Sequence, residues 1–163
     1  MYSESFSKLK KYITFPLMSY WCVVPVTEIL KIVNCPSPNQ GGMVEFGVVR
    51  LGPHTVQLLD LYQIFEGEPH PKTSISSRFL IVLQPKNAVL HGILLETPPD
   101  LIELPLTVLK PVSLDENTAQ SPLISHVGVF SRQDDKRTFL QLDFAMILQQ
   151  TPAQNHQSMS LVN

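Results

Sequence analysis

A chain of 163 residues, 44% of them apolar, has material for one compact domain or two small interlocked lobes. Its formal net charge is −2, only 16% of residues are charged, and no lysine and arginine stripe interleaved with aromatics occurs, which excludes a nucleic-acid-binding surface. No apolar run approaches the roughly 18 residues of a membrane span, and no apolar stretch precedes a small-residue cleavage site at the N-terminus. The expectation is a cytoplasmic protein without direct membrane insertion.

Prolines recur from Pro16 to Pro152 and rule out long helices. Between them lie short runs rich in Val, Ile, Leu and Phe, the pattern of an all-β barrel or sandwich. Tyr12 to Leu17 reads as a strand, with Pro16 marking an edge or an end because it donates nothing to a ladder. Tyr20 to Pro25 reads as the next strand. Thr27 to Val33 carries Ile29, Leu30, Ile32 and Val33 at helical spacing, so a helix capped by Thr27 is predicted there. Asn34 to Gly42, with two prolines and two glycines, is a loop.

Val44 to Leu51 and Thr55 to Leu59 predict a hairpin around Gly52-Pro53-His54. Asp60 is then placed to cap a short helix, Leu61 to Phe65. Glu66 to Ser77 is a polar loop. Phe79 to Gln84 and Ala88 to Glu96 predict a second hairpin, followed by a proline-rich, mostly extended stretch to Pro111 and a polar loop from Ser113 to Ser121. Ser125 to Ser131 and Thr138 to Leu142 predict a third hairpin across the charged turn 132–137. Residues 1–9 read as a lead-in, 10–150 as the folded domain and 151–163 as a disordered polar tail.

The chain echoes itself. Gly47-Val-Val, a turn, then Leu59-Asp-Leu-Tyr-Gln-Ile-Phe65 returns as Gly128-Val-Phe, a turn, then Leu142-Asp-Phe-Ala-Met-Ile-Leu148. Both copies read strand, turn, strand, aspartate cap, short amphipathic helix. Two similar β lobes in one unit are expected.

Residues for catalysis are not grouped. The histidines His54, His70, His91, His126 and His156 have no histidine or cysteine partner at i, i+3 or i, i+4, so no zinc spacing exists. No nucleophile elbow and no phosphate-cradling glycine loop is present. Asp60 and Asp143 lie in apolar runs, but each precedes a helix and is accounted for as a cap. Cys22 sits in an apolar run, which favours a buried free thiol over a disulfide with Cys35. The expectation is a non-enzyme with no cofactor and no metal.

An ordered series of segments resembles the CheW-like domain from about Lys10 to Leu148: Tyr20-Trp-Cys-Val-Val-Pro-Val26, Thr27-Glu-Ile-Leu-Lys-Ile-Val33, Gly47-Val-Val-Arg-Leu-Gly52, Val56-Gln-Leu-Leu-Asp-Leu61, Arg78-Phe-Leu-Ile-Val-Leu83, Leu90-His-Gly-Ile-Leu-Leu-Glu96, His126-Val-Gly-Val-Phe130 and Leu140-Gln-Leu-Asp-Phe144. The resemblance implies a mainly β fold of two interlocked five-stranded SH3-like barrels that share a hydrophobic core, with a few short helices. It implies a signalling adaptor that binds the cytoplasmic hairpin tip of a chemoreceptor and the regulatory domain of a CheA-type histidine kinase, in chemotaxis or in type IV pilus motility.

Gly47, Asp60 and Gly92 match the family pattern. Two positions depart from it. Lys31 stands where the family usually has a glutamate, and Gly52 where its turn usually carries an arginine. Arg50 lies two residues earlier on the same strand face, about 7 Å away, and offers the same charge. The partner-binding residues implied are Ile29, Lys31, Gly47, Arg50, Leu51 and Gly52. The lost arginine leaves a second reading: a divergent SH3-like barrel with a regulatory or structural role and no receptor–kinase coupling.

Overall fold

The computed structural model describes residues 8–66, 78–112 and 123–150. The predicted tail from Thr151 onward, and most of the polar loops after Glu66 and Val112, lie outside the described residues. Short apolar runs between turn residues become strands: β1 (Leu9–Leu17), β2 (Tyr20–Pro25), β3 (Ile29–Asn34), β4 (Val48–Leu51), β5 (His54–Leu59), β6 (Phe79–Leu83), β7 (Leu90–Leu95), β8 (Asp100–Pro105), β9 (Lys110–Pro111), β10 (Ile124–Arg132) and β11 (Asp135–Leu142). Two short helices follow aspartates, α1 (Leu61–Glu66) and α2 (Phe144–Gln150).

The strands form two sheets. One, the central lobe, has the order β3-β6-β7-β5-β4. The other, the terminal lobe, has the order β8-β1-β2-β11-β10-β9 and draws on both ends of the chain. All three predicted hairpins are present as antiparallel pairs: β4 with β5, β6 with β7 and β10 with β11. Hairpins meet across one parallel contact in each sheet, β5 with β7 and β2 with β11. Pro16 lies beyond the β1–β8 ladder, which ends at Thr14 opposite Asp100, so its missing N–H costs that ladder nothing.

Each sheet is curled, and in each the chain leaving one edge strand reaches the strand at the far side. In the central lobe the chain leaving β3 reaches β4, where the Arg50 N–H donates to the Gly41 carbonyl at 2.8 Å. In the terminal lobe the chain leaving β8 turns and returns as the two-residue β9 on β10, pairing Pro111 with His126. This short closing strand makes the terminal sheet six-stranded rather than five.

Period-two alternation sorts side chains into three apolar clusters. Val23, Tyr12, Leu104, Leu109 and Phe139 fill the terminal lobe. Val49, Val56, Leu80 and Val82 fill the central lobe. Between the lobes lies the shared core, including Phe15, Leu17, Cys22, Val24, Leu59, Ile81, Leu83, Ile93, Leu142, Phe144 and Ile147. Strands β2 and β6 are therefore buried on both faces, which explains their unbroken apolar sequences. Thr14 is the buried polar exception among the described residues, and its hydroxyl donates to the Cys22 carbonyl at 2.8 Å.

The helix expected over Thr27 to Val33 does not form. Val26–Glu28 makes a single 3-10 turn with no side-chain cap bond, and Ile29–Asn34 is strand β3. Seven residues are too few to hold a helix without a buried face. Ile29, Ile32 and Val33 are β-branched, and β6 offers an open edge: Ile32 pairs with Ile81 and Val33 with Leu80. The first hairpin also starts later than its sequence pattern, because Val44–Phe46 is a 3-10 turn and β4 begins at Val48. The charged turn of the third hairpin narrows to Gln133 and Asp134, both at positive φ (47° and 62°), as a tight two-residue connection demands.

Candidate functional site

Of the six implied contact residues, Ile29 and Lys31 lie on edge strand β3, Arg50 and Leu51 on edge strand β4, and Gly47 and Gly52 in the turns on either side of β4. Ile29 begins β3 half-buried, packed against the shared core. A register shift follows it, and Lys31 emerges exposed opposite Val82. Such a bulge re-aims side chains on an edge strand. Leu30 and Ile32, its neighbours along β3, are also exposed.

The other four residues surround β4. Gly47 caps the 3-10 turn at φ 76°, its N–H donates to the Val44 carbonyl at 2.9 Å, and its own carbonyl accepts from the Leu58 N–H at 2.9 Å. Arg50 is exposed, and its Nε donates to the Gly52 carbonyl at 3.2 Å, so the guanidinium lies over the turn. Leu51 is half-buried against the central-lobe core. Gly52 is the first central residue of a two-residue connection, since Leu51 pairs with His54. It holds φ 57°, and Pro53 follows. A left-handed first position favours glycine, which gives a local reason for glycine here.

Inspection of the sequence missed the outcrop just before β4. Met43 is exposed, and Phe46 is 81% exposed on a turn that is otherwise well tied down. The Phe46 N–H donates to Met43 at 3.0 Å and the Val48 N–H to Met43 at 3.3 Å, while Val44 packs into the central-lobe core. The signal was the glycine pair around Met-Val-Glu-Phe, which reads as turn chemistry rather than strand.

Other groups settle as structural. Asp60 Oδ1 accepts from the Gln63 N–H and Asp143 Oδ1 from the Met146 N–H, both at 3.2 Å, so each aspartate caps its helix as expected. Both cysteines are free, and burial pushes the Cys22 thiol up to about 12. The Arg137 guanidinium stacks 3.8 Å above the Trp21 ring and is held by Asp135 at 2.8 Å. Among the described residues no group of three His, Cys, Asp or Glu side chains converges as a metal site, and no helix is long and apolar enough to cross a membrane.

This two-lobed arrangement has known counterparts. The family model for the CheW-like domain matches residues 11–151. The chain belongs to the CheW-like domain family. A solved structure with the same fold is the scaffolding protein TtCheW from Thermoanaerobacter tengcongensis. It superposes with a TM-score of 0.60 at 13% identity, covering 88% of this chain and 90% of its own. No curated protein sequence matches this chain. Membership of the CheW-like family fits the two curled sheets, the shared core and the short helices.

Proposed function

We propose that this CheW-like chain is a non-catalytic adaptor of the cytoplasm, with residues 10–150 as its working unit, that couples a chemoreceptor to a CheA-type histidine kinase. The observation that carries the reading is the exposed apolar surface beside the expected contact positions. Leu30 and Ile32 flank Lys31, and Met43 and Phe46 precede Gly47 and Arg50. A protein contact of this kind takes its affinity from a few desolvated apolar side chains and its selectivity from charges at the rim. Burying Phe46 alone is worth about 2 kcal/mol. Lys31 and Arg50 supply the rim, and Lys31 in place of the family's usual glutamate matches the adaptor to its own receptor and kinase.

Calorimetric titration against the regulatory domain of the CheA-type kinase of the same organism tests the reading. One-site micromolar binding is expected. Phe46→Ser should weaken it by about 2 kcal/mol, and Arg50→Glu by roughly tenfold, with no change in folding. Absence of heat at several temperatures, together with no binding to a receptor tip, overturns the reading. The alternative is a divergent SH3-like barrel with a regulatory or structural role, and Gly52 in place of the turn arginine is the observation in its favour.

A further inference from the structure

Strand β10 is nine residues long, but only its first half is covered on the side away from β11. There β9 pairs with His126 and Val127, and the Val112 N–H donates to the Ser125 carbonyl at 3.0 Å. The chain entering β9 crosses Gly128, where a Cβ would meet the Val108 carbonyl oxygen at 2.3 Å, and leaves the edge at that point. Val129 to Arg132 extend past it as an overhang.

The register fixes where the backbone of this overhang points. Arg132 and Asp135 close a two-residue turn and form a hydrogen-bonded pair, and so do Phe130 and Arg137. Val129 and Ser131 belong to the alternate pairs, with Thr138 and Lys136, and direct both N–H and C=O away from β11. Among the described residues none bonds these groups on that side. In the central lobe the corresponding edge is answered: on β4 the Val48 N–H donates to the Met43 carbonyl at 3.3 Å and the Arg50 N–H to the Gly41 carbonyl at 2.8 Å. Side chains leave the overhang open as well. Val129 is 50% exposed, and Ser131 and Arg132 are exposed.

Proteins guard free strand edges with bulges, prolines and charges. Edge strand β3 has a bulge after Ile29 and carries Lys31, and edge strand β8 carries Asp100 and Glu103 and ends at Pro105. From Val129 to Ser131 the overhang has none of these devices. A row of unanswered N–H and C=O groups is a template for an added strand. The surrounding charge says which kind of strand fits. Exposed Lys110 lies at the β9 end, exposed Arg132 at the other, and exposed Lys136 opposite Ser131. Asp135, across the turn from Arg132, is engaged by Arg137 at 2.8 Å. Three cations and the turn carboxylate of Asp134 therefore border the overhang, a net positive rim.

We propose that the overhang of β10 takes up an acidic, extended segment of a partner protein as an added strand, antiparallel to β10. The segment exchanges two N–H···O bonds with Val129 and two with Ser131. Its central side chain packs on Phe130, and carboxylates at its ends meet Arg132 and Lys110. This surface belongs to the terminal lobe, and the proposal does not rest on the adaptor reading.

The test uses the full chain and the peptide acetyl-Glu-Val-Tyr-Val-Glu-amide, followed by amide chemical shifts in NMR. Binding in the millimolar range is expected, with shifts centred on Val129 to Arg132 and slowed amide exchange at Val129 and Ser131. A peptide with lysine in place of both glutamates should bind at least about tenfold more weakly. A peptide methylated on both valine nitrogens should not bind, because its inward donors are gone. Ser131→Pro removes an outward N–H and spares the ladder with β11; it should weaken binding at least about tenfold while leaving the rest of the spectrum in place. Arg132→Glu, at an exposed position, should abolish the preference for glutamate ends. Equal binding of the methylated peptide, shifts centred elsewhere or no shifts at all overturn the proposal. So does protection of the same two amides in the protein alone together with a doubling of its mass at high concentration, which assigns the edge to a second copy of the chain.

Discussion

The central and terminal lobes are built on one plan and reach it by different routes. Read across the sheets, β3-β6-β7-β5-β4 corresponds to β8-β1-β2-β11-β10, with one parallel contact at the same place and a helix after the same strand. The central lobe runs continuously from Ile29 to Leu95, whereas the terminal lobe takes β1 and β2 from the start of the chain and β8 to α2 from the end. Shift the chain ends and the two lobes have the same strand sequence. The difference teaches where cooperativity must enter. The central lobe closes through nearer contacts, while the terminal lobe exists only once Cys22 pairs with Leu140, near opposite ends of the chain. Such closure costs entropy before contacts return it.

The helices give the largest expected contrast between the lobes. Ile147 in α2 is 1% exposed within the shared core, but its echo in α1, Ile64, is only half-buried against it. Ile147→Ala should therefore cost about 4 kcal/mol and Ile64→Ala about 2 kcal/mol or less in denaturant unfolding. Equal losses would mean that the lobes contribute alike to the shared core.

A second contrast comes from the paired glycines of the echo. A Cβ on Gly128 would meet the Val108 carbonyl oxygen at 2.3 Å, where the chain closing the terminal barrel crosses β10. A Cβ on Gly47 would meet nothing within 4 Å, but the residue holds φ 76°. Gly128→Ala should cost about 3 kcal/mol through overpacking, and Gly47→Ala about 1 kcal/mol through left-handed strain. A Gly47→Asn variant should recover part of the second loss and a Gly128→Asn variant none of the first, measured by thermal unfolding.

The smallest effect concerns the joint between the lobes. The folded-state pKa of Glu28 lies above its ordinary value because burial disfavours the carboxylate. The folded form then holds its proton more tightly than the unfolded chain, so this group's contribution to stability falls as pH rises through the carboxylate range. Below the ordinary glutamate pKa the penalty is absent, and above the raised pKa it is complete. Glu28→Leu should flatten that part of the stability–pH profile. An unchanged profile would show that Lys86 and Lys10 already neutralise the group.

Much of this was legible in the sequence. The three hairpins followed from apolar runs between turn residues, the helix caps from Asp60 and Asp143 ahead of apolar spacing, and the two-lobe plan from the echo between Gly47–Phe65 and Gly128–Leu148. The stretch after Thr27 was misleading because its apolar spacing suits either a helix or an edge strand, and only the open edge of β6 decided between them. Of the candidate site, the turn at Gly52 was visible, but Phe46 was hidden inside an apparent strand and Glu28 looked like an ordinary surface glutamate.

Local rules therefore settled what local geometry controls: strand periodicity, the hairpin turn at Gly52 and the aspartate caps. Each depends on a few neighbouring residues and on φ and ψ preferences. Tertiary structure alone decided the rest. The parallel contacts of β2 with β11 and β5 with β7, and the desolvation of Glu28 in the seam, arise where distant segments meet. Burial and pairing across such distances belong to the folded whole and leave no periodic mark on the chain.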